Sequence, residues 1–233
     1  MLKEAFYLKF AWGPRKEDLD QCADRLAKFL SDLSIIDPAF ATFLGGRKKE
    51  RLYRMPIDPG LFKRWLAQGV NREEIGNAPI PDLGFSTSLI LNEEDDVAFP
   101  LRIHCGCYAP RVPNICSIIF PRSGGAARRL LKTPMLLKIA KAVIENWQPD
   151  VGIISSDECR RISPLSSFAS EAGWITYLPE KLNELTDIPA SAQVEKIGNG
   201  RLIIATKAHF SSANSNHMEV VKHLAKSLQA IVG

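Results

Sequence analysis

Residues 83–120 read LGFSTSLILNEEDDVAFPLRIHCGCYAPRVPNICSIIF, and their patterning decides the fold class. Leu83, Phe85, Thr87, Leu89 and Leu91 recur at every second position, which places them on one face of a strand. The acidic turn Asn92-Glu93-Glu94-Asp95-Asp96 leads into a second strand, Val97 to Tyr108, and a proline-rich loop leads to a third, Ile115 to Phe120. Three strands with short connections predict an antiparallel meander.

Toward the N-terminus, residues 4–11 alternate, with Phe6, Leu8 and Phe10 on one face and Tyr7 and Lys9 on the other. Gly13-Pro14 breaks that strand. Leu19, Cys22, Ala23, Leu26, Leu30 and Leu33 then fall at helical spacing. Asp37-Pro38 and Asp58-Pro59 each place an N-cap before a proline in the first turn. The second of these opens a helix with the apolar face Leu61, Phe62, Trp65 and Leu66, which Gly69 ends. Residues 45–51, GGRKKER, read as a polar, basic loop, and residues 77–82, with two prolines, as a connector.

Toward the C-terminus, Ser123-Gly124-Gly125 reads as a flexible connector. Thr133-Pro134 opens a helix whose buried stripe is Leu136, Ile139, Ala140, Val143 and Trp147, and Pro149 stops it. Val151–Ser155 is a short apolar strand, Ser163-Pro164 starts a small helix, and Trp174–Leu178 is a further strand. Gln193–Ile197 and Arg201–Thr206 flank the hairpin turn Gly198-Asn199-Gly200. The final helix carries Asn216 and Glu219 in a capping-box-like spacing. The sum is an α/β fold, a mixed and largely antiparallel sheet covered by helices. Residues 1–233 are expected to form one domain; two lobes meeting near residue 125 are the alternative arrangement.

Composition narrows the class. The 233 residues suffice for a sizeable core, and 45% hydrophobic with 24% charged residues is an ordinary globular balance. No apolar run reaches the roughly 18 residues of a membrane helix. The N-terminal residues MLKEAFYLKFAWGP lack signal-peptide architecture, so a cytoplasmic location is expected. Cys22, Cys105, Cys107, Cys116 and Cys159 make an odd, irregularly spaced set, which reads as free thiols in a reducing compartment. A net charge of +4 neither demands nucleic acid nor excludes it.

Candidate chemistry is sparse. His104-Cys105-Gly106-Cys107 with Cys116 suggests zinc, but a strand puts His104 on the face opposite Cys105 and Cys107, and four convergent ligands are lacking. Buried core thiols are the reading adopted, with no metal and no cofactor. A Cys-His nucleophile needs a base oriented by a third group, and nothing in the spacing indicates one. GxxxxGK[ST], GxGxxG after a strand and GxSxG are all absent. His209, His217 and His223 share no i, i+4 face. The basic stretch Arg47–Arg54 offers only Tyr53 for base stacking. Glu93, Glu94, Asp95 and Asp96 fit either a solvated hairpin tip or a contact for a basic partner.

One resemblance sharpens this. Tyr7, then Trp12-Gly13-Pro14-Arg15-Lys16-Glu17, then Cys22-Ala23-Asp24-Arg25-Leu26 resemble the start of the immunity protein 52 family. Asp37-Pro38, Asp82-Leu83-Gly84-Phe85-Ser86, Trp147-Gln148-Pro149-Asp150 and Gly173-Trp174-Ile175-Thr176-Tyr177-Leu178 look like its later blocks, in the same order. The resemblance spans nearly the whole chain. It implies a non-enzymatic immunity protein of a bacterial polymorphic-toxin system. Such proteins bind and neutralise a toxin, often a nuclease effector of the restriction-endonuclease type, delivered by contact-dependent secretion, type VI included. It supplies no catalytic residues. The expected partner is the toxin, with no direct contact to nucleic acid or membrane. The chain is too basic for wholesale DNA mimicry, so a local contact surface is expected, to which Glu93–Asp96 contributes. Alternatives are a cysteine-dependent hydrolase and a nucleic-acid-binding module using Arg47–Arg54.

Overall fold

The alternating segment near the N-terminus forms strand β1 (Phe6–Trp12), which hydrogen-bonds on both sides. One neighbour is β6 (Asn114–Ile119) and the other β7 (Val151–Ser156), both antiparallel. The computed structural model describes residues 4–45, 50–54, 58–91, 98–162, 171–180 and 187–232. Among them, ten strands make one sheet. Its remaining members are β2 (Thr42–Gly45), β3 (Glu50–Arg54), β4 (Phe85–Leu91), β5 (Phe99–Cys105), β8 (Ile175–Pro179), β9 (Gln193–Ile197) and β10 (Gly200–Ile204). The order is β3-β2-β4-β5-β6-β1-β7-β8-β10-β9, with every pairing antiparallel. The meander β4-β5-β6 stands as expected, and the strands before and after residue 125 join directly through β1 and β7.

One face of the sheet carries Phe6, Leu8, Phe10 and Trp12 into the core. Helix α1 (Leu19–Ile36) starts at a capping box in which Asp18 and Gln21 satisfy each other's backbone N–H groups. It buries Cys22, Ala23, Leu26, Phe29, Leu30 and Leu33. Helix α4 (Thr133–Trp147) crosses beside it and ends at Gln148, whose left-handed φ of 47° lets the chain turn into Pro149. Trp147 stacks on Trp12 at 5.3 Å and meets Phe29 edge-on at 6.0 Å, tying α4, β1 and α1 together. Helix α2 (Pro59–Gln68) is capped by Asp58, buries the four residues expected of it, and stops at Gly69.

The structure departs from the sequence reading in several places. The loop expected over residues 45–51 is flanked by strands that reach into it, β2 ending at Gly45 and the backbone of β3 starting at Glu50; residues 46–49 of that stretch lie outside the described residues. Four residues carry too little periodicity, and the pairing is tertiary, through Phe43 with Leu91 and Leu44 with Ile90. Ser123-Gly124-Gly125 is no connector but the start of helix α3 (Gly124–Leu130), held by burial of Ala126, Ala127 and Leu130. A short helix α5 (Asp157–Ile162) follows β7 directly, while the helix expected from Ser163 falls outside the described residues. Helix α6 (Ser215–Val232) is capped by Asn214, whose Oδ1 accepts the N–H of Asn216 at 3.0 Å, so Asn216 lies inside the helix. β5 is shorter than expected because Gly106, at φ +70°, turns the chain.

Candidate partner-binding surface

The family-resembling blocks converge on structural corners. Gly13 donates its N–H to Asp150 Oδ2 at 2.7 Å. Arg15 donates to the carbonyls of Trp147 and Gln148 at 2.8 and 3.0 Å, placing a cation on the C-terminal carbonyls of α4. The WGPR and WQPD blocks are thus two halves of one joint. Gly84 has φ +63°, and a Cβ there would sit 2.4 Å from the Cys105 carbonyl oxygen. Asp37, buried beyond α1, accepts a two-point hydrogen bond from Arg129 of α3 at 2.9 and 3.1 Å and also caps Ala39. Trp174 is buried and donates its indole N–H to the carbonyl of Thr206 at 3.1 Å.

The cysteines are placed for packing. All five are buried and free. The thiol of Cys105 is pushed well above its ordinary range by a hydrogen bond with Cys22 and by burial, and burial alone raises that of Cys116. Burial also raises Cys159, against partial compensation from Ser156. Thiolate, the nucleophilic form, is disfavoured at these three sites. Cys107 lies past the end of β5, with its N–H on Asn114 Oδ1 and its thiol 3.5 Å from the Val112 carbonyl oxygen, so it does not continue the Cys105 face. His104 places Nε2 2.7 Å from the Leu83 carbonyl oxygen and Nδ1 3.0 Å from that of Pro113. Both ring nitrogens therefore face backbone. Among the described residues no group of three His, Cys, Asp or Glu side chains converges as metal ligands, and no helix is long and apolar enough to cross a membrane. Glu93, Glu94, Asp95 and Asp96, the residues expected to touch a partner, lie outside the described residues, as do Arg47, Lys48 and Lys49.

The sheet face opposite Phe10 and Trp12 offers a site the sequence reading did not single out. Strand register sets its side chains in rows. One row runs Ser88, Arg102, Ser117, Lys9, Ile153, Thr176, Ile203. From β7 onward its members are buried, whereas Ser88 and Arg102 are exposed and Ser117 and Lys9 half-buried. The face is thus covered over β7-β8-β10 and open over β4-β5-β6-β1. Beside it, Leu44 pairs with Ile90 and Ile90 with Pro100, and Ile119 pairs with Tyr7 one position beyond the Leu101–Ile118 pair; Ile90 is 38% and Ile119 45% exposed. Another row starts with Ser86, His104 and Ile115. The open part holds a groove of about 580 Å³, walled by Gln68 and Gly69 at the end of α2. A second hollow of about 440 Å³ continues past Lys9 and Ile115 toward Arg111 and Asp150.

Two of the eight arginines and lysines between Asp96 and Glu145, a stretch without carboxylates, stand at this face: Arg102 on β5 and Arg111 in the loop that follows; the other six come after β6. No carboxylate of the described residues pairs with Arg102 or Arg111. At the β1 end, burial raises the Glu171 carboxyl, with Lys9 and Arg160 acting against it. Burial, and then the Glu171 charge, push the Tyr7 hydroxyl up to about 12. The available signal was the polar alternation of Ser86, Ser88, Arg102, His104 and Ser117 along their strands, combined with that acid-free run.

Comparison with known proteins follows the same lines. The family profile described as immunity protein 52 matches residues 4–232. No curated protein matches the chain. Among solved structures, the Pseudomonas aeruginosa T6SS protein PA0821 superposes with a TM-score of 0.58 at 10% identity, covering 97% of this chain and 73% of that one. At that identity the likeness is one of fold. The substrate-free duplicated taurocyamine kinase from Schistosoma mansoni reaches a TM-score of only 0.27 at 12% identity, over 100% of this chain and 32% of that one.

Proposed function

We propose that this chain, which belongs to the immunity protein 52 family, binds a bacterial toxin as a single domain and neutralises it inside the producing cell. The observation that carries this is the family match over residues 4–232. The fold shared with a T6SS protein supports a toxin delivered by contact-dependent secretion. The toxin is a nuclease effector, the kind of partner that the family resemblance implies. Inhibition comes from tight binding that occludes the toxin, without a reaction performed by this chain, and the elevated thiols of Cys105, Cys116 and Cys159 fit a structural use of cysteine. The chain works in the cytoplasm, where the toxin is made.

Glu93, Glu94, Asp95 and Asp96 contribute to recognition. Four successive carboxylates repel one another, and a nuclease needs a positive surface to hold phosphates, which attracts such an acidic run. Replacing all four with Asn or Gln should slow association and flatten its salt dependence while leaving melting unchanged. Unaltered association kinetics at low ionic strength would remove these four residues from the interface.

The experiment for the function is co-expression with the product of the adjacent gene. Rescued growth and a complex that survives purification are expected. Toxicity that persists with both proteins folded and soluble refutes immunity.

A further inference from the structure

We propose that the open sheet face over β4-β5-β6-β1 is the toxin-docking groove, and that it receives a toxin segment bearing carboxylates flanked by aliphatic side chains; this rests on the immunity reading above. Three observations converge on that occupant. First, the same side-chain row is buried on β7, β8 and β10 but open on β4, β5, β6 and β1, so the fold covers one half of this face and leaves the other as a groove of about 580 Å³. Second, Ile90 pairs with Pro100 on β5, and Ile119 is one position beyond the Leu101–Ile118 pair, so exposed apolar side chains lie beside the groove where solvent does not favour them. Third, Arg102 lines the groove, flanked by the hydroxyls of Ser88 and Ser117, and Arg111 stands where the second hollow continues the groove. Neither arginine pairs with a carboxylate of the described residues.

Arginine offers a planar fork that matches a carboxylate, arginine is among the residues that dominate interface energies, and exposed aliphatic side chains gain by burial against an apolar partner. A partner that meets both must therefore present acids beside apolar groups. Rigid backbone pairing on both sides of β5 and β6 keeps the groove preformed, which lowers the ordering cost of association.

The test uses the full chain and the toxin encoded by the adjacent gene, purified in a catalytically inactivated form. Arg102→Glu and Ile119→Asp should each weaken binding by about tenfold or more. Ile35→Asp, on the exposed side of α1 across the sheet, should leave binding unchanged. Arg102→Glu should also reduce the salt dependence of association. Circular dichroism establishes that each variant is folded. In case Ile119→Asp fails to fold, a benzophenone amino acid replacing Ser88 gives an independent reading, and it should crosslink to the toxin. If the unsubstituted chain binds the toxin and both groove variants bind equally well, the docking site is overturned while immunity stands. If the unsubstituted chain does not bind, the immunity reading fails and the groove assignment with it. Crosslinking to a second copy of this chain, or capture of a fluorescent DNA oligonucleotide that Arg102→Glu abolishes while toxin binding persists, equally overturns it.

Discussion

Asn114 is the buried polar side chain whose removal the structure prices most clearly. It is fully buried at the start of β6. Its Nδ2 donates to the carbonyls of Gly13 at 2.9 Å and Cys107 at 3.0 Å, and its Oδ1 accepts the Cys107 N–H at 2.8 Å. Asn114→Ala deletes three hydrogen bonds and leaves the Cys107 N–H buried without a partner. Net values of about 1 kcal/mol per bond, with the larger penalty for an orphaned group, give about 3 kcal/mol. For a chain of this size that lowers the melting temperature by roughly 6–12 °C. Asn114→Asp should be worse at neutral pH. A carboxylate cannot donate, and it would face two carbonyl oxygens without water, so the cost rises to about 4–5 kcal/mol. The introduced acid is disfavoured in its charged form, so its folded pKa lies above the unfolded value of about 3.9. Below that unfolded value the acid is protonated in both states and can donate one bond. The charge-related destabilisation is absent there and grows as pH climbs toward and through the folded pKa. Thermal melts followed by circular dichroism at pH 7 and near pH 4.5, each referenced to Asn114→Ala at the same pH, measure this directly. If Asn114→Asp melts within about 2 °C of the unsubstituted chain at pH 7, the three-bond account of this corner is wrong.

Three further outcomes follow from the same kind of argument. Gly84→Ala should destabilise by about 2–4 kcal/mol in urea titration, because it meets both a left-handed φ and the Cys105 carbonyl; a loss under about 1 kcal/mol would mean that the backbone relaxes freely there. Arg129→Met should cost about 2–3 kcal/mol, less than for a fully buried pair because the arginine is itself 38% exposed, and Arg129→Lys should restore only part of that; equal stability of all three would discount the Asp37 contact. The thiols of Cys105, Cys116 and Cys159, raised in the fold, stay protonated where an unfolded cysteine would ionise, so stability should decline as pH rises past about 8.5. Native protein at pH 8 should accordingly react with iodoacetamide at these positions only as fast as it unfolds, which peptide mapping can follow; immediate labelling of any of the three would contradict their burial.

The long amphipathic helices were legible because one side chain in three or four decides them. Leu26, Leu30 and Leu33 in α1 and Leu136, Ile139 and Val143 in α4 each recur over several turns. The meander was equally plain from Leu89 and Leu91, both of which are buried. What escaped was structure made by neighbours. β2 exists because β4 offers it hydrogen bonds, and α3 holds two glycines in a helix because its alanines and Leu130 are buried. The groove escaped for a related reason. Alternation marks Arg102 and Ser117 as facing away from the core, but it cannot say that Ile153 and Ile203 in the same row are roofed while they are not. The family blocks pointed to membership through residues such as Trp12, Arg15 and Trp147, whose work is joining corners, so they gave no direction to the binding surface.

The central position of β1 also dictates the order of events during synthesis. β1 leaves the ribosome before either of its partners, and its buried face stays without a sheet until β6 and then β7 have been made. Contacts so distant along the chain are slow to close, so folding should run on the slow side for a domain of this size. A nascent chain halted between Ile119 and Val151 would hold β1 paired on one side only, with an unpaired strand edge ready to recruit another chain. For the immunity function proposed above, translating this chain ahead of its toxin would give the second half of the sheet time to close on β1.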